Sequence, residues 1–107
     1  MSQLSSKYKC TMKREFVECL KVCIEQILTH PSGFQTDDDK IWASLLAEIK
    51  DRLYDKLGKW QPDYKVSFSP AQAIALRILY TDYINEPVTY LGNKLFLISN
   101  EVARQYN

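Results

Sequence analysis

Cys19, Cys23 and His30 are the side chains of this sequence that could bind a metal ion or act together as nucleophile and base. Thiolate and imidazole groups are zinc ligands, and a cysteine beside a histidine can attack a carbonyl carbon. On a helix, however, His30 would lie seven residues beyond Cys23, a rise of about 10 Å. Zinc bonds are only ~2.0–2.3 Å long, so a straight helix cannot bring all three side chains to one ion. We therefore predict no metal site.

The two cysteines are better suited to packing. At roughly 100° per residue, Cys23 falls on the apolar side of a helix that also carries Phe16, Leu20 and Ile24, and Cys19 falls at its margin. Free cysteine commonly behaves as a small buried apolar residue. The odd number of cysteines, 3, and the absence of a visible export signal favour reduced thiols over a disulfide framework.

Other catalytic patterns are missing from the sequence. The glycines at positions 33, 58 and 92 form no phosphate-binding loop. The acidic run from Asp37 to Asp39 lacks the spacing of a calcium loop and is explained as the start of a helix. We predict that the protein is not an enzyme and has no cofactor and no small-molecule substrate.

The composition is that of an ordinary globular domain. The 107 residues are 46% hydrophobic and 25% charged, and the formal net charge is +1. This balance provides no strong overall attraction to nucleic acid or to a membrane. No apolar run approaches the ~20 residues that span a bilayer, and no secretory signal is visible. We expect one domain, residues 1–107, that is not secreted and is located in the cytoplasm or within an assembled particle.

Hydrophobic spacing and helix-capping residues predict four helices. The sequence HPSG should end the first helix, Thr36 and Gly58 should bound the second, and Ser69 with Pro70 should begin the third. Residues 58–68 form an extended, aromatic-containing connection in which Lys65 to Phe68 could make a short strand. The predicted fold is all-α and resembles a four-helix bundle, with a basic N-terminal arm over residues 1–10. The predicted helices run from about Thr11 to Thr29, Thr36 to Leu57, Pro70 to Ile84 and Glu86 to Gln105.

Two of these helices have more apolar side chains than a small core should be able to bury. The third is apolar around most of its circumference, which is typical of a helix enclosed by its own fold or by another chain. The fourth has a core stripe and, on the opposite side, Tyr90, Leu97 and Arg104 at seven-residue intervals. Tyrosine and arginine are enriched among residues that anchor protein interfaces. The predicted partner-binding residues are Leu76, Tyr80, Tyr83, Tyr90, Leu97 and Arg104, and we expect Leu76→Asp or Leu97→Asp to weaken association in a chain that remains folded.

An alternative interpretation is nucleic-acid binding. The segment LGNKLFLISNEVARQY, from Leu91 to Tyr106, resembles the second half of a helix-turn-helix in which FLIS would form the turn. The recognition helix would then present Asn100 and Arg104, which are base-reading residue types. Uninterrupted spacing of three and four from Val88 to Val102 favours one continuous helix instead. The other nucleic-acid contacts in this alternative are the basic residues Lys7, Lys9, Lys13 and Arg14, which could contact phosphates.

The sequence therefore favours a non-enzymatic protein-interaction module. It would associate with itself or with other proteins as a structural or accessory subunit of a larger assembly, and a virion or mobile-element component would suit so small a chain.

Overall fold

The computed structural model describes residues 6–29, 34–85 and 88–106. Within these residues the fold is mainly α-helical, with four α-helices, as predicted. It is not purely α-helical, because the described part of the chain also contains two short strands and a π-helical segment. In chain order the elements are β1 (Tyr8–Lys13), α1 (Arg14–Leu28), α2 (Asp37–Leu57), β2 (Asp63–Phe68), α3 (Pro70–Ile78), the π-helical segment (Leu79–Ile84) and α4 (Tyr90–Gln105).

The helices pack in pairs within two compact units of the chain. The central unit comprises residues 12–64, in which α1 packs on α2. The terminal unit comprises residues 1–11 and 65–107, in which α3 and the π-helical segment pack on α4. The fold is therefore a mainly α-helical one that is not clearly the predicted four-helix bundle.

Strands β1 and β2 form a two-stranded sheet. The ring of Tyr8, the first residue of β1, stacks on Phe68, the last residue of β2, while Lys13 lies 3.5 Å from Asp63 at the opposite strand ends. The strands are therefore antiparallel. Tyr8 and Met12 are buried and the lysines between and after them are exposed, which is the alternation of a strand with one covered face.

The sheet changes the predicted start of the first helix. Thr11 and Met12 belong to β1, and α1 begins at Arg14 with no side-chain cap from Lys13. The Arg14 backbone N–H instead donates to the carbonyl of Pro62 at 3.1 Å, which satisfies one of the donors that a helix N-terminus leaves open. α1 ends at Leu28, and the HPSG segment predicted to stop it, residues 30–33, lies outside the described residues.

Two other helix starts are confirmed in detail. Thr36 caps α2 and Ser69 caps α3, each within a reciprocal capping box, and Pro70 occupies the first turn of α3. α2 also ends at Gly58 as predicted. α4 starts later than predicted, because the Thr89 hydroxyl accepts the backbone N–H of Gly92 and so caps a helix that begins at Tyr90. The predicted start near Glu86 and Pro87 falls outside the described residues.

The third predicted helix has the expected end but changes type on the way. After Ile78 the backbone widens into the π-helical segment, and the Asn85 N–H donates to the Tyr80 carbonyl five residues earlier at 2.6 Å. Asn85 then adopts a left-handed conformation with φ of 42°, which asparagine tolerates better than most residues. The chain leaves the helix at this position.

Candidate protein-binding surface

Helix α4 has one buried side and one exposed side. Leu95, Ile98 and Val102 are buried together with Gly92 and Ser99. At 100° per residue, a seven-residue step returns to within about 20° of the same direction, so Tyr90, Leu97 and Arg104 form one line on the opposite side. The exposed fractions of Leu97 and Tyr90 are 49% and 40%. The line predicted from sequence therefore exists as surface.

Polar residues flank this line on both sides. Asn93 and Asn100 lie along one flank, Lys94 and Glu101 along the other, and all four are exposed. We call the complete set the outer face of α4; it consists of Tyr90, Asn93, Lys94, Leu97, Asn100, Glu101 and Arg104.

The predicted contribution of the third helix is different. Leu76 has an exposed fraction of 0% and Tyr80 is also buried, so these two predicted contact residues present no surface to a partner. The Tyr80 ring packs on Phe96 of α4 with ring centroids 5.6 Å apart. Tyr83, in the π-helical segment, is exposed. Of the six predicted residues, those with exposed side chains are Tyr83, Tyr90, Leu97 and Arg104.

The C-terminal end of the α4 region is hydrogen-bonded to residues 6–8. The Tyr8 hydroxyl donates to the Glu101 carboxylate, the Gln105 side-chain amide donates to the Lys7 carbonyl at 3.0 Å, and the Tyr106 hydroxyl donates to the Ser6 carbonyl at 2.6 Å. Burial and the bond to Glu101 raise the pKa of Tyr8 far above its usual value, so this hydroxyl remains a donor. These bonds hold the C-terminal half of α4 against residues 6–8.

Of the predicted basic arm, residues 1–5 lie outside the described residues, and residues 6–10 are incorporated into the fold. Lys7 and Lys9 are exposed in the terminal unit. In the central unit, Lys13 pairs with Asp63, and the half-buried Arg14 donates to the Tyr64 hydroxyl at 2.6 Å. Arg14 is therefore committed to an internal hydrogen bond.

The helix-turn-helix interpretation is wrong for this chain. α4 continues without interruption from Tyr90 to Gln105, so residues 96–99 are helical and form no turn. Asn100 and Arg104 are exposed, but they belong to the outer face of one long helix. Phosphate contact by Lys7, Lys9, Lys13 and Arg14 stays a prediction.

The cysteines do not assemble into a site. Cys19 is exposed, whereas Cys10 and Cys23 are half-buried. Among the residues that the structure describes, no three His, Cys, Asp or Glu side chains are grouped so that they could hold a metal ion. His30 lies outside the described residues. Burial raises the pKa of Cys23, and burial with the nearby Glu101 charge raises the pKa of Cys10 to about 11.

The three thiols should consequently differ in reactivity. A thiolate is the reactive form, and a pKa of about 11 leaves roughly one Cys10 thiol in a thousand ionised at pH 8. We expect an aromatic disulfide reagent at pH 8 to label Cys19 first, with Cys10 and Cys23 reacting in slow phases. Stopped-flow absorbance measures these phases. Cys19→Ser should remove the fast phase alone, and a fast phase that persists in this variant would contradict the assignment.

Another exposed aromatic residue lies in the central unit, between α2 and β2. Trp60 has an exposed fraction of 69%. Its loop is organised by the buried Tyr64 hydroxyl, which donates to the Lys59 carbonyl at 2.9 Å and accepts the Gln61 backbone N–H at 3.1 Å. Arg14 donates to the same oxygen. The sequence identified Trp60 as a loop residue but gave no indication of this arrangement.

Comparisons with known proteins found no relative from which a function could be transferred. No protein-family model matches the chain, and searches of curated proteins and of solved structures found no match. None of the helices in the described residues is both long enough and apolar enough to span a membrane. A functional proposal therefore depends on the chain's own residues.

Proposed function

We propose that the protein is a non-enzymatic interaction module that binds protein through the outer face of α4, as a structural or accessory subunit of a larger assembly. The observation that carries this proposal is the line of Tyr90, Leu97 and Arg104 on the exposed side of a helix whose other side is core. An isolated exposed leucine is ordinary on a protein surface. A leucine centred between a tyrosine and an arginine has the composition of an interface centre.

The shape of the surface also favours recognition of another protein. α4 contains 16 residues and is therefore about 24 Å long. A convex helical ridge of this length, with apolar and aromatic groups on its midline and polar groups on its flanks, suits packing against another helix or into a groove. The bonds made by Tyr8, Gln105 and Tyr106 hold the C-terminal half of the helix in place, so binding requires little ordering of the backbone.

Leu97→Asp should disrupt this contact and leave the fold intact. A carboxylate at the centre of an interface loses its water without gaining a partner, so we expect association to weaken at least about tenfold. Association is measured for purified chain by light scattering coupled to size exclusion, and for tagged chain by quantitative capture from an extract of its source cells. Circular dichroism should remain unchanged, because Leu97 is half-exposed.

The matched control is Ile41→Asp. Ile41 is an exposed aliphatic residue near the start of α2, in the central unit. This variant should retain every association of the wild-type chain. Equal effects of Leu97→Asp and Ile41→Asp, or no effect of Leu97→Asp on any association, would contradict the proposal.

A further inference from the structure

The outer face of α4 is complementary to itself when it is reversed. Leu97 is its midpoint, with Tyr90 seven residues before and Arg104 seven residues after. On one flank, Lys94 lies three residues before Leu97 and Glu101 four residues after it. A basic group and an acidic group thus occupy nearly equivalent positions on either side of the midpoint.

Consider two copies of α4 that pack antiparallel about a two-fold axis beside Leu97. This axis makes the second helix run in the opposite direction. Each flank of one copy then faces the same flank of the other copy. Lys94 then lies within about 1.5 Å, along the helix axis, of the level of the partner's Glu101. On the second flank, Asn93 meets the partner's Asn100. Each of these contacts occurs twice.

The midline of the outer face, which is the line of Tyr90, Leu97 and Arg104, is also matched in this arrangement. Leu97 packs against the partner's Leu97 at the axis, and Tyr90 reaches the level of the partner's Arg104. A guanidinium group against an aromatic ring is an attractive contact. Glu101 already accepts the Tyr8 hydroxyl at one carboxylate oxygen, and a carboxylate has further acceptor positions for an ammonium group.

Parallel packing has none of these advantages. A two-fold axis along the helices would place every midline residue against its own copy, so Arg104 would meet the partner's Arg104. Lys94 would face Asn93 of the partner subunit, and Glu101 would face Asn100 of the partner subunit. Like charges meet on the midline and the ion pairs are lost.

We infer that the occupant of the outer face of α4 is a second copy of this chain, bound antiparallel about a two-fold axis at Leu97. This inference rests on the proposed function and specifies its partner. One pair of helices about 24 Å long lies at the small end of specific interfaces. The dimer is therefore weak, with a dissociation constant in the micromolar range or above.

Disulfide trapping tests the geometry directly. Facing Cα atoms at the axis fall within the distance that a disulfide requires, whereas two Tyr90 positions lie about 21 Å apart along the pair. The background is Cys19→Ser, which removes the exposed native thiol. With copper phenanthroline as oxidant, Leu97→Cys should give at least about ten times more linked dimer than Tyr90→Cys. A mixture of Tyr90→Cys and Arg104→Cys chains of different length should give the mixed linked dimer.

A charge reversal tests the flank. Lys94→Glu places two carboxylates opposite each other twice in the dimer, and we expect dimerisation to weaken by roughly tenfold in light scattering. Arg77→Glu is the matched control, because Arg77 is an exposed base in α3 of the same unit. This control should dimerise like the wild-type chain.

Two kinds of result would overturn the inference. Self-linking of Tyr90→Cys equal to that of Leu97→Cys would indicate parallel or random contact. Absence of linking at residue 97 would exclude a second copy as the occupant. The proposed function would still hold if the wild-type chain bound a different protein and Leu97→Asp did not bind it. If Leu97→Asp retained every association of the wild-type chain, both the inferred dimer and the proposed function would be refuted.

Discussion

Replacing Leu76 by aspartate should unfold the terminal unit. Leu76 is fully buried in α3, which packs on α4, so the substitution removes a packed side chain and buries a carboxylate without a partner. Truncation of a buried leucine alone costs about 2–5 kcal/mol, and the isolated charge adds to this. The total approaches the 5–15 kcal/mol stability typical of a whole domain. We expect the loss of much of the helical circular dichroism at 25 °C and of any cooperative thermal transition of this unit.

Ala71→Asp provides the matched control for this prediction. Ala71 is exposed in the first turn of the same helix, where an acid interacts favourably with the helix dipole. This variant should unfold within about 0.5 kcal/mol of the wild-type chain. A folded Leu76→Asp chain that had lost only its ability to associate would support the sequence-based prediction that Leu76 lies in an interface, and would contradict its burial.

The reversed expectation for Leu76 shows what the sequence pattern could not resolve. An apolar circumference indicates that a helix is enclosed, but the same pattern serves a helix enclosed by its own fold and one enclosed by another chain. Tyr80 was ambiguous for the same reason, and its ring packs on Phe96 within the terminal unit. The line on α4 was predictable because one buried stripe and one opposite line follow directly from helical periodicity.

Local signals located most helix ends correctly. Ser69 and Pro70 act within one helical turn, and the helix start they predicted is present, with Gln72 completing a capping box. Strand β1 was missed because its evidence is not local: a short alternating run through Lys9 and Lys13 resembles a basic tail until β2, more than 50 residues later, provides its partner. The π-helical segment likewise has no residue signature that separates it from an α-helix.

The Tyr64 hydroxyl illustrates the same limit, because one of the three groups that depend on it comes from Arg14, 50 residues earlier in the sequence. It accepts from Arg14 and from the Gln61 N–H and donates to the Lys59 carbonyl. Tyr64→Phe keeps the buried ring but leaves these groups without their partner. Water can reach the exposed Lys59 and Gln61, and Arg14 also lies 3.8 Å from Glu18, so the loss is that of hydrogen bonds worth ~0.5–1.5 kcal/mol each. We expect the free energy of unfolding to fall by about 1–2 kcal/mol in urea titrations followed by circular dichroism.

Amide exchange separates a local effect on the loop from a general loss of stability. The Gln61 N–H should exchange much faster with deuterium in Tyr64→Phe under native conditions, because its acceptor is gone, while amides in the middle of α4 change only as far as global unfolding allows. Tyr54→Phe is the matched control: Tyr54 has an exposed fraction of 66%, and the ring beneath the Lys21 ammonium group is retained. That variant should match the wild-type chain within about 0.5 kcal/mol. If Tyr64→Phe behaved like Tyr54→Phe in both measurements, the hydroxyl would not be what holds the Trp60 loop in position.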